Sequence, residues 1–172
     1  TGGCGTAPGV APPPGDVKSA EELVLAGQRL EQFHNPLFEP EPYYREALRR
    51  DPGYSRAHVA LGALALRRGE YERAEEHLSR AAARVTANHT RARDGESQYL
   101  HGLALEALGR VREARASLAA AAWDRAFTGA ASLAQARLEA RSGDSERALA
   151  LLDRALRAAE QRGLEGQGGG AP

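Results

Sequence analysis

The sequence predicts an all-α chain built from about four stacked helix pairs, and three observations carry that prediction. Apolar residues recur at helical spacing, as Ala74, Leu78 and Ala81 do on one face. A set of small residues returns with fixed internal spacing along the chain. Glycines also stand in pairs inside segments rich in helix formers, as Gly62 and Gly69 do in LGALALRRGEYERAEEHL.

A glycine in a helix interior costs about 1 kcal/mol relative to alanine, so each needs a reason that a larger side chain would defeat. Gly69 precedes Glu70, Tyr71 and a fresh helical pattern, and is expected to end one helix and permit the turn. Gly62 sits in mid-helix, where a missing side chain lets a second helix approach. The expected contact is Ala74, another small residue.

The pattern recurs. In YLHGLALEALGRVREARASLAAA, Gly102, Gly109, Val111, Ala114, Leu118 and Ala121 repeat the spacings of Gly62, Gly69, Tyr71, Ala74, Leu78 and Ala81, 40 residues later. A further copy, 34 residues on, has Ala136, Gly143, Ser145, Ala148, Leu152 and Ala155. Towards the start, Gly27, Tyr44, Ala47 and the closing Asp51-Pro52 form another. A helix pair with one apolar face each cannot bury itself and stacks on its copies. The expected organisation is a repeat domain over residues 19–162, with copies at 19–53, 54–87, 94–124 and 126–160. Gly/Pro-rich segments at 1–18 and 163–172 are expected to be flexible, having almost no apolar bulk to offset their ordering entropy. Ser19 with Glu22 forms a capping box, Ser55 is placed to cap the second copy and Asp94 the third. The six extra residues of the longer offset fall in VTANHTRARDG, as an extended helix end or a protruding loop.

The small-residue pairs, the Gly-x-Tyr turn at Gly69 and Tyr71, and the Asp51-Pro52 close resemble the tetratricopeptide repeat, whose basic period is 34 residues. The second copy matches best. Departures are His101 in place of the usual leucine, Pro40 in place of alanine, and Val111 and Ser145 where an aromatic is common. The resemblance implies a right-handed superhelical α-solenoid whose first helices line a concave groove. Carried onto this chain, the groove positions are Val24, Gln28 and Glu31; Arg56, Val59, Ala63, Leu66 and Arg67; Glu96, Tyr99, Leu103 and Glu106; and Leu133, Arg137 and Arg141. Their middle is apolar and their margins charged, and glutamates on copies one and three alternate with arginines on two and four, an order that would let neighbouring copies neutralise one another. A narrower similarity, over residues 18–125, is to the repeat region of large bacterial proteins that also carry an uncharacterised galactose-mutarotase-like domain. It implies a piece of a longer protein, with any carbohydrate chemistry elsewhere.

The remaining chemistry points away from catalysis. Twenty-three basic residues balance 23 acidic ones, so no net charge steers the chain to nucleic acid or an anionic membrane. Basic segments lack interleaved aromatics. No stretch of about 18 apolar residues suggests a membrane span. Cys4 is the single cysteine, excluding an internal disulfide and a multi-cysteine metal site. The five histidines, His34, His58, His77, His89 and His101, contain no close-spaced ligand pair. His101 falls on a core-facing position, where a hydrogen-bonded, partly buried imidazole is expected. Phe33, Phe38, Tyr43 and Tyr44 read as a packed cap over the first helix pair.

The expectation is therefore a non-enzymatic scaffold with no catalytic residue, cofactor or metal. It binds a protein or peptide, or another domain of its own full-length protein, through the groove; homo-oligomerisation stays open. Two alternatives stand beside it. One is an accessory module of a carbohydrate-active enzyme. The other is a lipid-anchored assembly factor, suggested by the loose resemblance of TGGCG to a bacterial lipoprotein cleavage box. The expected location is the bacterial cytoplasm, unless Cys4 follows an export signal.

Overall fold

The computed structural model describes residues 12–33, 39–86 and 95–167. Among these, a short 3-10 turn, Pro14–Asp16, leads into eight α-helices: α1 (Ala20–Gln32), α2 (Glu41–Arg50), α3 (Ser55–Arg68), α4 (Tyr71–Thr86), α5 (Gly95–Ala107), α6 (Val111–Ala121), α7 (Thr128–Arg141) and α8 (Ser145–Gln167). Successive helices pair as hairpins, α1 with α2 through α7 with α8, and each hairpin packs on the next through α2 on α3, α4 on α5 and α6 on α7. No strand occurs among the described residues. The fold is the all-α solenoid of helix pairs that the periodicity predicts.

The turns inside three hairpins share one construction. Gly69, Gly109 and Gly143 have φ of 75°, 74° and 85°, the left-handed region that side chains with a Cβ avoid. Each closes its helix with a Schellman pair: the Glu70, Arg110 and Asp144 amides donate to the carbonyls of Ala65, Leu105 and Glu139, all near 2.9–3.0 Å. The Ser19 hydroxyl accepts from the Glu22 amide at 3.1 Å and caps α1. Ser55 does not cap α3. It is the first helical residue, the cap position belongs to Tyr54, and no side chain accepts there. Asp94, the expected cap of the third copy, lies outside the described residues; at the start of α5 the Gly95 amide donates to the Asp124 carboxylate at 2.9 Å.

Gly62 admits its neighbour helix as expected, but the neighbour residue is Leu78 rather than Ala74. A Cβ on Gly62 would lie 2.4 Å from Leu78 Cγ. Gly102 stands in the same relation to Leu118, at 2.6 Å, and Gly27 meets the Tyr44 ring at 2.4 Å. Leu78, Leu118 and Tyr44 are fully buried, each contributing roughly 1.5–3 kcal/mol of apolar burial. Ala74 is buried too, but its methyl serves the junction with α5 beside Leu78 and Ala104.

The core runs along the stack as clusters that each bridge a hairpin and the first helix of the next. Leu23, Tyr44 and Ala47 pack with Ala57, Leu61 and Leu64 of α3, and Leu105 and Leu118 pack with Ala134 and Leu138 of α7. Two features depart from the expected tails. Residues 12–18 are docked: Tyr43 donates from its hydroxyl to the Pro12 carbonyl at 2.9 Å, and the Arg50 guanidinium donates to the carbonyls of Pro14, Gly15, Val17 and Lys18. Helix α8 continues past residue 162 to Gln167. Phe33 is 75% exposed, so the aromatic cap reduces to Tyr43 and Tyr44, with Phe38 outside the described residues.

Candidate functional site

Two adjoining depressions lie along the row of first helices. The larger, about 610 Å³, is lined by Ala63, Leu66 and Arg67 of α3, Tyr71 of α4, Leu100, Leu103, Glu106 and Ala107 of α5, and Arg137 and Arg141 of α7. The smaller, about 490 Å³, is lined by Gln28 and Glu31 of α1, Tyr44 of α2, Arg56, Val59, Ala60, Ala63 and Arg67 of α3, Glu96 of α5 and Asp124. They meet at Ala63 and Arg67.

Of the groove positions read from the sequence, Val24, Tyr99 and Leu133 line neither depression. Val24 is 2% exposed within the α1–α2–α3 core, so it packs rather than presents a surface. Tyr99 is half-buried, its ring centroid 5.7 Å from that of Phe127, and it packs on the Ala121, Ala122 and Ala131 cluster. Leu133 is 47% exposed on α7. Leu100, Ala107 and Tyr71 join the larger depression although the sequence reading passed over them. Leu100, Leu103 and Ala107 stand at i, i+3 and i+7 on one helix, a spacing that was legible in the sequence.

The charges of this face are largely spent between repeats. Glu31 accepts from Arg67 across the first junction, while its other oxygen accepts from the Tyr44 hydroxyl at 2.6 Å. Burial, followed by the Glu31 hydrogen bond, raises the Tyr44 pKa and keeps the hydroxyl a donor. Glu106 accepts from Arg141 at 2.7 Å and Arg137 at 3.3 Å across the third junction. Arg56 and Glu21 pair more loosely at 3.8 Å. The alternation of glutamate and arginine noted in the sequence thus produces pairs that bridge neighbouring repeats.

A second set of pairs staples the junctions away from the depressions. Glu41, at the start of α2, meets Arg45, Arg68 and Arg73. Burial works to raise its pKa, but hydrogen bonds from Arg68, Arg73 and Arg45 outweigh that and hold it at about 2. Glu75 of α4 meets Arg110 at 3.1 Å, and buried Glu139 of α7 meets Arg115 of α6 at 2.7 Å.

The histidines also serve packing. His101 is half-buried, its Nδ1 3.2 Å from the Ser117 hydroxyl and its Nε2 3.6 Å from Glu75. Burial lowers its pKa, a shift partly offset by Glu75. His58 Nδ1 lies 3.0 Å from His77 Nδ1, a contact between α3 and α4 that no sequence motif signals. No group of three or more His, Cys, Asp or Glu side chains among the described residues is arranged to hold a metal ion. No described helix is long and apolar enough to cross a membrane.

The comparisons agree with this architecture. Tetratricopeptide-repeat family models match residues 41–99 and 99–162, and the chain belongs to the tetratricopeptide-repeat family. Among solved structures, a crystal structure of MamA superposes with a TM-score of 0.71 at 17% identity, covering 87% of this chain and 83% of that one. A MamA structure from Desulfovibrio magneticus RS-1, residues 41 to the end, gives 0.67 at 17%, covering 83% and 77%. A further structure, MamA MSR-1, gives 0.65 at 20%, covering 86% and 80%. At these identities the likeness is one of fold.

Proposed function

We propose that the chain is a non-catalytic interaction scaffold that takes an apolar or amphipathic helical segment of a protein along the two depressions. The observation that carries this reading is the pairing of Glu31 with Arg67 and of Glu106 with Arg137 and Arg141. These pairs leave Ala63, Leu66, Leu100, Leu103 and Ala107 as the unsatisfied part of the surface. An apolar face laid into such a strip gains roughly 1.5–3 kcal/mol for each large side chain fully buried. The family supports an interaction role generally, and the occupant is read from the lining.

The occupant is either a separate protein or a neighbouring domain of the same polypeptide. The similarity of residues 18–125 to repeats that accompany a galactose-mutarotase-like domain supports the second source. The test is calorimetric titration with a leucine-faced amphipathic helical peptide and with an acidic carboxyl-terminal peptide. The helical peptide is expected to bind and to lose affinity on Leu103→Ala more than on Arg137→Ala. Tight binding of the acidic peptide that depends on Arg137 and not on Leu103 would overturn the reading.

A further inference from the structure

Each hairpin secures the chain that leads into its first helix with a polar side chain near the end of its second. Arg162 of α8 donates to the Ala126 carbonyl ahead of α7 at 3.4 Å. Asp124, just past α6, accepts from the Gly95 amide at the start of α5. Arg84 of α4 lays its guanidinium where a Cβ on Gly53, ahead of α3, would stand. Arg50, Arg84 and Asp124 share one register position, at successive offsets of 34 and 40 residues. Arg50 does the same for the segment ahead of α1. Its Nη1 donates to the Val17 and Lys18 carbonyls at 2.5 and 3.1 Å, its Nη2 to those of Pro14 and Gly15 at 3.3 Å, and its Nε to Glu46 at 2.8 Å. All five N–H groups of the guanidinium are engaged. Burial adds Val17, which enters the first core cluster, while Pro12, Pro13, Gly15 and Asp16 stay exposed. Prolines suit such a grip: they lack an N–H, but the guanidinium takes carbonyls, and their fixed φ leaves the free segment less freedom to lose.

We infer that Arg50 is a positioning residue that turns residues 12–18 into a fixed joint. The segment is built as the lead-in of a repeat, held as the inner lead-ins are, and not as a Gly/Pro tether. The point and direction at which the chain arrives at the first hairpin are thereby set by α2, through Arg50 at its end and the Tyr43 hydroxyl on the Pro12 carbonyl. The joint is independent of what occupies the depressions, since neither Tyr43 nor Arg50 lines them. Lysine cannot replace Arg50 here: its ammonium has three donors on one atom and does not span four carbonyls together with Glu46.

Two readings on the whole chain test this. Lys18 is the single lysine, so a lysine-specific endoprotease cuts the chain at one bond, whose carbonyl Arg50 holds. Cleavage draws that bond into the protease cleft, and its rate follows the released fraction of the segment. Arg50→Gln is expected to raise the rate about tenfold, the loss of charge-assisted hydrogen bonds. Tyr43→Phe, which frees the Pro12 carbonyl, should raise it less. Arg49→Gln, whose arginine bonds Glu46, and Gly62→Ala, which strains α3 against α4, should leave it unchanged. The second reading is the mobility of a nitroxide at residue 15, where a Cβ meets no atom within 4 Å, in a chain carrying Cys4→Ser and Gly15→Cys. Its spectrum should sharpen on Arg50→Gln and not on Gly62→Ala. An Arg50→Gln chain unchanged in both readings, or matched in both by Gly62→Ala, would overturn the proposal.

Discussion

Leu78 fills the space that Gly62 leaves empty: its Cγ stands 2.4 Å from where a Cβ on residue 62 would be. Gly62→Ala therefore sets about 1 kcal/mol of gained helix propensity against the cost of displacing a fully buried leucine, about 1–3 kcal/mol. The expected outcome is a lower melting temperature, with a matching loss for Gly102→Ala through Leu118. Combining Gly62→Ala with Leu78→Ala should cost less than the sum of the single changes, because the shortened residue 78 vacates the volume that the new methyl needs. Thermal denaturation of the four proteins checks this, and strict additivity would break the assigned pairing.

The same pair shows how far the sequence could be read. The spacing of Gly62 and Gly69 announces a close helix approach and a left-handed turn, because those demands act on the residue itself. The partner was not legible: Ala74 and Leu78 lie one helical turn apart on the same face, and only the crossing of α3 and α4 decides which meets Gly62. Val24 lies on the face of α1 that packs into the α1–α2–α3 core, while Gln28 and Glu31 of the same helix reach the smaller depression, and only the packing of α1 on α2 and α3 separates the two faces. The Tyr44, Glu31 and Arg67 network and the His58–His77 contact join residues from different helices without a local pattern. The docking of residues 12–18 depends on Arg50, whose reach a composition-based reading of a Gly/Pro segment does not contain.

Glu41 should govern part of the acid limb of stability. Its folded pKa is held at about 2, below the ordinary 4.5, by hydrogen bonds that outweigh the opposing effect of burial. Its contribution is fully present above pH 4.5 and is lost as pH falls through 4.5 towards 2. Glu41→Gln removes the charge that Arg68 and Arg73 share and should cost about 1–3 kcal/mol at pH 7. It should also flatten the loss below pH 4.5. Urea titrations of both proteins at pH 7 and pH 3.5 measure the difference; a mutant that keeps the wild-type slope would remove Glu41 from this role.

A second pH dependence lies near neutrality, between α3 and α4. His58 is 3% exposed, and its Nε2–H donates to the Pro52 carbonyl at 3.0 Å, which leaves its Nδ1 to accept from His77 Nδ1–H. Burial first, then His58, lowers the His77 pKa, with Arg73 and Arg80 adding to the shift and Glu76 opposing it. The unfolded chain takes up its proton near pH 6.5 while the folded one resists until lower pH, so stability falls as pH drops through 6.5. His101 is shifted in the same direction by its burial and adds to the slope. His77→Gln keeps a donor without a titrating ring and should make melting temperature less dependent on pH between 7 and 5.5. A slope unchanged by that substitution would place the titration elsewhere.

Glu106 decides what charge the larger depression offers a ligand. Its side chain is 12% exposed and is shared by Arg137 and Arg141, which are 55% and 62% exposed. A ligand carboxylate must compete with a carboxylate already seated and oriented, so acidic peptides should bind weakly to the native chain. Glu106→Gln keeps the shape and frees both guanidinium groups for charge-assisted hydrogen bonds, each worth about 1.5–3 kcal/mol when fully made and less at this exposure. An acidic carboxyl-terminal peptide should then gain about tenfold in affinity, with a stronger dependence on salt. The amphipathic helical peptide, held by Leu66, Leu100 and Leu103, should change little. Titration of both peptides against both proteins separates the two effects, and an acidic peptide indifferent to residue 106 would mean that Arg137 and Arg141 point away from bound ligand.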